Sequence, residues 1–102
     1  MNRLSGNVTI ITGGGKGIGY GLAEAFAAEG SNLVITGRTE SRLVAAKEKL
    51  EQAYGIEVLP IVADGANEEA IKNVVEKTIE RFGKINTLVN NAQVSKSGTP
   101  LV

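Results

Sequence analysis

The chain has 102 residues, of which 42% are hydrophobic and 22% are charged, a composition typical of one globular domain with a modest core. Eleven basic residues balance eleven acidic ones, so no overall field recruits nucleic acid or an anionic membrane. Cysteine and histidine are absent, which excludes disulfides, thiolate nucleophiles, imidazole bases and the usual zinc sites.

The sequence contains no long apolar segment of the kind that crosses a membrane or forms a secretory signal. The absence of cysteine is consistent with a reducing compartment. We therefore expect a cytoplasmic protein with no membrane partner.

Predicted strands and helices alternate along the chain. In order, the patterns predict a strand at 7–12, a helix at 17–28, a strand at 33–36, a helix at 40–53, a strand at 57–62, a helix at 68–82 and a strand at 87–90. Gly30, Gly55 and Gly83 follow the three helices, and Thr39 and Asn67 are the predicted N-caps of the second and third.

The second and third predicted helices each carry an apolar stripe. In the second helix it consists of Leu43, Ala46 and Leu50, spaced three and four residues apart. The stripe of the third helix is longer and consists of Ile71, Val74, Val75, Thr78, Ile79 and Phe82.

Alternating strands and helices predict an α/β fold: a Rossmann-like parallel sheet of about four strands with helices on both faces. The expected strand order is 3-2-1-4. Pro60 in the third strand agrees with that order, because proline suits a strand at the edge of a sheet. The fourth strand would then have an unpaired outer edge, so we expect self-association through it.

A glycine-rich turn lies between the first strand and the first helix. Five glycines fall within residues 13–19, in the sequence Thr12-Gly-Gly-Gly-Lys-Gly-Ile-Gly19. Glycine lets the backbone adopt positive φ and approach a ligand closely, while the N–H groups and dipole of a helix N-terminus attract phosphate. The turn therefore predicts a nucleotide phosphate site, although glycines in such a turn can also be purely structural.

Two familiar phosphate motifs do not match. A P-loop requires Gly-Lys followed by Ser or Thr, and the common Gly-x-Gly-x-x-Gly fingerprint would need glycine where Ile18 stands. The pattern present is Thr12-Gly13-x-x-x-Gly17-x-Gly19, which resembles the cofactor-binding motif of the short-chain dehydrogenases/reductases. The resemblance implies that the cofactor contacts this turn, at Thr12, Gly13, Gly15, Lys16, Gly17, Ile18 and Gly19.

The end of the second strand favours NADP(H) over NAD(H). A dinucleotide fold places an acid there for the ribose of NAD or a base for the 2′-phosphate of NADP, and this chain has Arg38. Arg38 could equally be a solvated loop charge. In the resembled family, a basic residue at the position of Lys16 together with an Arg after the second strand is typical of NADP-preferring members.

Three further positions follow from the resemblance. Asp64, after the third strand, would contact the adenine amino group, although Asp-Gly is also a common turn pair. Asn90-Asn91-Ala92 resembles a family signature beside the cofactor ribose, which makes Asn90 and Ala92 candidate contacts. Gln93 stands where that signature has glycine, and it could weaken cofactor binding.

The resemblance covers the amino-terminal, cofactor-binding half of the family. The family's hydride transfer requires a Ser and a Tyr-x-x-x-Lys pair, whereas Tyr20 and Tyr54 are followed four residues later by Glu24 and Val58. We therefore expect residues 1–102 to be a partial dinucleotide-binding domain, inactive by itself. The alternatives are a standalone nucleotide-binding module and a dimerising protein without catalytic activity.

Overall fold

The computed structural model describes residues 3–15, 17–63 and 68–91. The elements follow the predicted alternation: β1 (Val8–Thr12), α1 (Gly17–Ala28), β2 (Asn32–Gly37), α2 (Glu40–Tyr54), β3 (Val58–Val62), α3 (Glu68–Phe82) and β4 (Thr87–Val89). Their ends differ from the predicted ones by at most one residue, the usual uncertainty where terminal hydrogen bonds fray.

All four strands are parallel, in the order β3-β2-β1-β4, which confirms the predicted fold. The central strands β1 and β2 are buried on both faces, and for that reason they read as continuous apolar or β-branched runs instead of alternating ones. Pro60 lies beside Ile35 in the edge strand β3, as predicted.

Helices cover both faces of the sheet. On one face α1 and α2 pack against Ile11, Leu33 and Ile35, and the whole predicted stripe of α2 is buried there. On the other face α3 packs against Val8, Ile10 and Val34 of the central strands. The glycine turn lies at the carboxyl end of β1, between that strand and α1.

The buried stripe of α3 is narrower than predicted. Val74 and Thr78 are buried, and the Thr78 hydroxyl donates to the Val74 carbonyl at 2.7 Å, but Ile79 is 45% exposed. Within the described residues α3 has no helical neighbour on its face of the sheet, so a flanking position such as Ile79 faces solvent.

The N-cap of α2 lies at the predicted residue but makes a different hydrogen bond from the expected one. Thr39 occupies the N-cap position of α2, but its side chain makes no capping hydrogen bond; its carbonyl accepts the N–H groups of Arg42 and Leu43, both at 3.2 Å. Gly55 ends α2 at φ 70°, and its N–H donates to the Glu51 carbonyl at 2.9 Å. Asn67, the predicted cap of α3, lies outside the described residues.

The open edge of β3 has few donors. Bonds from Leu33 N–H to Glu57 O and from Ala63 N–H to Gly37 O place Val58, Pro60 and Val62 on the outward positions, because backbone groups alternate in a parallel ladder. Glu51 Oε2 accepts the Val58 N–H at 3.0 Å, and Pro60 has no N–H. Val62 is the one outward donor left in β3, which protects this edge against strand addition.

Glu51 should make the stability of the fold pH-dependent. Its hydrogen bond from Lys47, at 2.7 Å, and then that from Val58 hold the pKa of the Glu51 carboxyl below its usual value of 4.5, against the opposing effect of burial. Stability that rests on the charged carboxylate is present above pH 4.5 and is lost as the pH falls through the lowered folded-state pKa.

We therefore expect Glu51→Gln to lower the free energy of unfolding at pH 7 by under about 1 kcal/mol, since the pair is partly solvated. The difference from the wild-type chain should shrink as the pH falls below 4.5. Urea denaturation at several pH values measures this. Glu48→Gln, an exposed site on the same helix, is the control; equal losses in both variants at every pH would contradict the role of Glu51.

Candidate functional site

The glycine turn is tied to the end of β2 through Thr36. The Gly13 N–H donates to the Thr36 hydroxyl at 3.4 Å, and the Gly14 N–H donates to the Thr36 carbonyl at 3.2 Å. These two donors are therefore used inside the protein. The donors left to receive an anion are those of Gly15 and of the first turn of α1, where the helix dipole is positive.

Two glycines in the turn are required by close packing. A Cβ on Gly14 would lie 2.7 Å from Cγ2 of Ile35, and a Cβ on Gly19 would overlap the Gly13 carbonyl oxygen. That second Cβ would also lie 2.8 Å from Nδ2 of Asn91. The first turn of α1 is thereby held against the turn and against the end of β4.

Other glycines of the turn meet different requirements. Gly13 and Gly17 have φ of 71° and 60°, values that side chains strain to adopt. A Cβ on Gly17 would meet nothing within 4 Å, so its surroundings are open. Ile18, the next residue, is 77% exposed, which leaves an apolar side chain at the mouth of the site.

Thr12 connects the ends of β1 and β4. Its hydroxyl lies 3.1 Å from Asn90 Oδ1 and 3.4 Å from the Val89 carbonyl, and the residue is 2% exposed. This hydrogen bond brings Asn90 to the start of the glycine turn. Direct contact of Thr12 or Asn90 with a cofactor stays a prediction.

The end of β2 lies beside the turn on its other flank. A Cβ on Gly15 or on Gly37 would lie 3.3 Å from the same atom, Cδ2 of Leu43, so these two glycines face a common neighbour on α2. Arg38 follows Gly37 directly and is exposed. The chain thus brings a cationic residue, and no carboxylate among residues 36–39, to the place where a dinucleotide fold holds the ribose.

Several predicted residues lie outside the described part of the chain. These are Lys16, Asp64, Ala92 and Gln93, and their proposed contacts stay predictions. Thr36 and Asn91 are the contributions that the sequence analysis missed. In the sequence, Thr36 looks like any other β-branched strand residue. Its position near the carboxyl end of β2 is the signal that could have indicated a role in the site.

Metal and membrane chemistry find no support in the described residues. They contain no group of three or more acidic, histidine or cysteine residues that could hold a metal ion. Their helices are too short and too polar to span a bilayer. The arrangement is suited to binding an anionic ligand through the backbone.

Comparison with known proteins supports the same type of site. A family model described as short chain dehydrogenase matches residues 7–101. The chain is 53% identical over 107 aligned residues to a 12alpha-hydroxysteroid dehydrogenase of Clostridium sp.. That alignment covers 99% of this chain but 41% of the relative. It is 37% identical to the short-chain dehydrogenase/reductase SDRA of Arabidopsis thaliana, across 98% of this chain and 39% of the other.

Solved structures share the fold. L-sorbose reductase from Gluconobacter frateurii, complexed with NADPH and L-sorbose, superposes with a TM-score of 0.86 at 39% identity, over 94% of this chain and 37% of that one. A short chain dehydrogenase/reductase from Burkholderia phymatum in complex with NAD has a TM-score of 0.82 at 35% identity, over 92% and 33%. The chain spans about two fifths of the length of the curated relatives it matches.

The packing of Gly19 can be tested with a matched pair of substitutions in α1. We expect Gly19→Ala to destabilise the fold by about 2 kcal/mol and to lower Tm by about 10 °C, because the new methyl group overlaps the Gly13 carbonyl. Gly21→Ala meets nothing within 4 Å and should raise Tm slightly, since alanine favours a helix interior. Thermal denaturation followed by circular dichroism measures both; similar Tm values would contradict the packing requirement.

Proposed function

Because the chain belongs to the short-chain dehydrogenase/reductase family, we propose that it forms the NADP(H)-binding portion of an oxidoreductase of that family. The observation that carries the proposal is the glycine turn, whose first two N–H groups are bound by Thr36, while no partner among the described residues takes up the N–H of Gly15. The first turn of α1 adds N–H groups that have no acceptor within the helix. Donors in this position, at the positive end of a helix dipole, suit a diphosphate.

The preference for NADP(H) rests on charge. Arg38 stands at the end of β2, where a carboxylate would repel the 2′-phosphate and a guanidinium can bind it through two hydrogen bonds. Lys16 adds a second cation in the turn sequence. Solved relatives have been complexed both with NADPH and with NAD, so the family by itself leaves the choice to these residues.

When bound, the nicotinamide ring would supply or accept the hydride. In the proposed role this chain binds and orients the cofactor: backbone N–H groups hold the diphosphate, Ile18 gives an apolar contact, and Asp64 would accept from the adenine amino group. Asn90 and Ala92 would lie beside the ribose. None of these groups transfers a proton.

Proton transfer requires residues beyond these. A tyrosine acid/base that works near neutral pH needs a lowered pKa. Burial, with smaller effects of Glu24 and Tyr54, instead raises the pKa of Tyr20 above 10.0, and no Lys follows Tyr20 or Tyr54 at the family spacing. We therefore propose that a Ser and a Tyr-x-x-x-Lys outside residues 1–102 carry out catalysis.

The relatives differ in the substrates that their names give. One is named for a 12alpha-hydroxysteroid and another for L-sorbose, yet both match this same cofactor-binding region. What they share with this chain is thus the cofactor chemistry. We propose no substrate class from these residues.

The NADP(H) preference predicts the effect of reversing the charge of Arg38. Arg38→Asp should weaken NADPH binding about 10- to 100-fold, because a charge-assisted hydrogen bond is lost and a repulsion added, while NADH binding changes little. Calorimetric titration with both cofactors measures the ratio. Lys72→Asp on α3 is the charge-matched control, and an unchanged NADPH to NADH ratio in Arg38→Asp would refute the assignment.

We further propose that the chain self-associates through β4. Within the described residues no strand pairs with the outer edge of β4, and Leu88 in its centre is 46% exposed. An unpaired strand edge with an apolar side chain is a template for pairing with a second copy. The edge of β3, in contrast, is blocked by Glu51 and Pro60.

Sedimentation velocity over a range of concentrations tests this association. The wild-type chain should form dimers or larger species, and Leu88→Lys should shift it toward monomer because a charge at the edge disfavours pairing. Val44→Lys, an exposed apolar site on α2, should have no effect. A chain that stays monomeric at high concentration contradicts the proposal.

A further inference from the structure

A cavity of about 280 Å³ opens between α1 and α2, directly beside the glycine turn. Gly15 and Gly17 form its inner wall, and α2 forms the other side. The residues that α2 contributes are Arg42, Ala45, Ala46 and Lys49. The cavity therefore combines the turn that would bind the diphosphate with a cationic helix face.

The cationic face follows from helical spacing. Arg42 and Lys49 are two turns apart on α2, so they share one face, and the alanines between them leave room for a ligand. Both cations are exposed, and neither forms an ion pair with any residue that the structure describes. Lys47, on a neighbouring face, is instead paired with Glu51 at 2.7 Å.

The Cβ atom of Arg42 lies close to the expected position of the cofactor ribose. A Cβ built on Gly15 would be 3.9 Å from Cβ of Arg42 and 3.3 Å from Cδ2 of Leu43. Gly37, at the end of β2, faces that same Leu43 atom at 3.3 Å. A dinucleotide fold holds the ribose near the end of β2, beside the turn, so Arg42 starts on the α2 side of that position.

From these contacts we propose that Arg42 is a second specificity-determining residue, whose guanidinium binds the 2′-phosphate of NADP(H) from the α2 side. This inference rests on the proposed function of the glycine turn. A phosphate held between Arg38 and Arg42 is bound by two planar guanidinium groups, each able to donate two hydrogen bonds to it.

The other charges of the cavity locate the phosphate at the Arg42 end. Tyr20 of α1 also lines the cavity. Glu24, one helical turn further along α1, lies 3.4 Å from the Tyr54 hydroxyl, so a carboxylate lies near the Tyr20 end. Lys49 is about 10 Å along the helix from Arg42 and so lies farther from the end of β2, where α2 begins. Its effect is a weaker, longer-range attraction.

The test uses two nucleotides that differ in the 2′-phosphate. Titration calorimetry measures binding of 2′,5′-ADP and of 5′-AMP to the wild-type chain and to Arg38→Asp, Arg42→Gln, Arg42→Lys and Lys72→Gln. Arg42→Gln should weaken binding of 2′,5′-ADP about tenfold and leave binding of 5′-AMP unchanged. Arg42→Lys should recover part of the loss, because it keeps the charge but not the bidentate geometry.

Lys72→Gln removes the same charge from α3, on the opposite face of the sheet, and should change neither affinity. Melting curves of the variants confirm that the fold is retained; Arg42 is exposed, so its substitution should leave Tm unchanged.

Each other outcome has a distinct meaning. If Arg42→Gln leaves the ratio of the two affinities unchanged while Arg38→Asp abolishes it, the role of Arg42 is overturned and the proposed function stands. If the wild-type chain binds both nucleotides equally, the 2′-phosphate is not recognised, which overturns the role of Arg42 and the NADP(H) preference but not cofactor binding. If neither nucleotide binds, the proposed function fails and this inference fails with it.

Discussion

The closeness of α1 to the ends of the central strands is the constraint on which the rest of the site depends. Gly19 has no room for a side chain because the Gly13 carbonyl lies against it, and Gly14 has none because Ile35 does. This contact brings the N-terminus of α1 to the carboxyl edge of β1. Without it, the helix dipole and its unpaired N–H groups would not point at the position where a diphosphate can lie.

Thr36 completes this arrangement from the neighbouring strand. By accepting the N–H groups of Gly13 and Gly14, it removes two donors from competition for a ligand and fixes the conformation of the turn. On the other side, the Thr12 hydroxyl donates to Asn90 Oδ1 and so connects the end of β1 to the end of β4. Because these hydrogen bonds lie within the protein, the turn is formed before any ligand arrives, which reduces the entropic cost of binding.

The two edges of the sheet have opposite properties. At β3, a glutamate from α2 and a proline leave little for another strand to pair with, although the strand lies at the edge of the fold. At β4, the exposed Leu88 lies beside Ile10, on the face covered by α3, where Ile79 is also exposed. Two exposed apolar side chains, Leu88 on β4 and Ile79 on α3, thus belong to this side of the sheet.

The sequence by itself determined the order of elements, the parallel sheet and the turn. Strand and helix periods differ. β1 and β2 are mostly apolar or β-branched because both of their faces are buried, and Gly30, Gly55 and Gly83 end the helices at positive φ. The stripe of α2 was predicted in full, because both its neighbours, α1 and the sheet, are present. Each of these properties is local or follows from burial, and both produce a recognisable spacing of residue types in the sequence.

Tertiary structure decided what depends on residues far apart in the chain. Ile79 belongs to the periodic stripe of α3 but is exposed, since periodicity shows which side of a helix is apolar and not how much of it a neighbour covers. The contacts of Thr36 and Asn91 and the position of Arg42 beside the glycine turn were equally hidden, because each depends on which residue of another element lies opposite. Glycine, threonine and arginine each occur in many structural roles. The distances between residues of different elements distinguish those roles, and the sequence does not contain these distances.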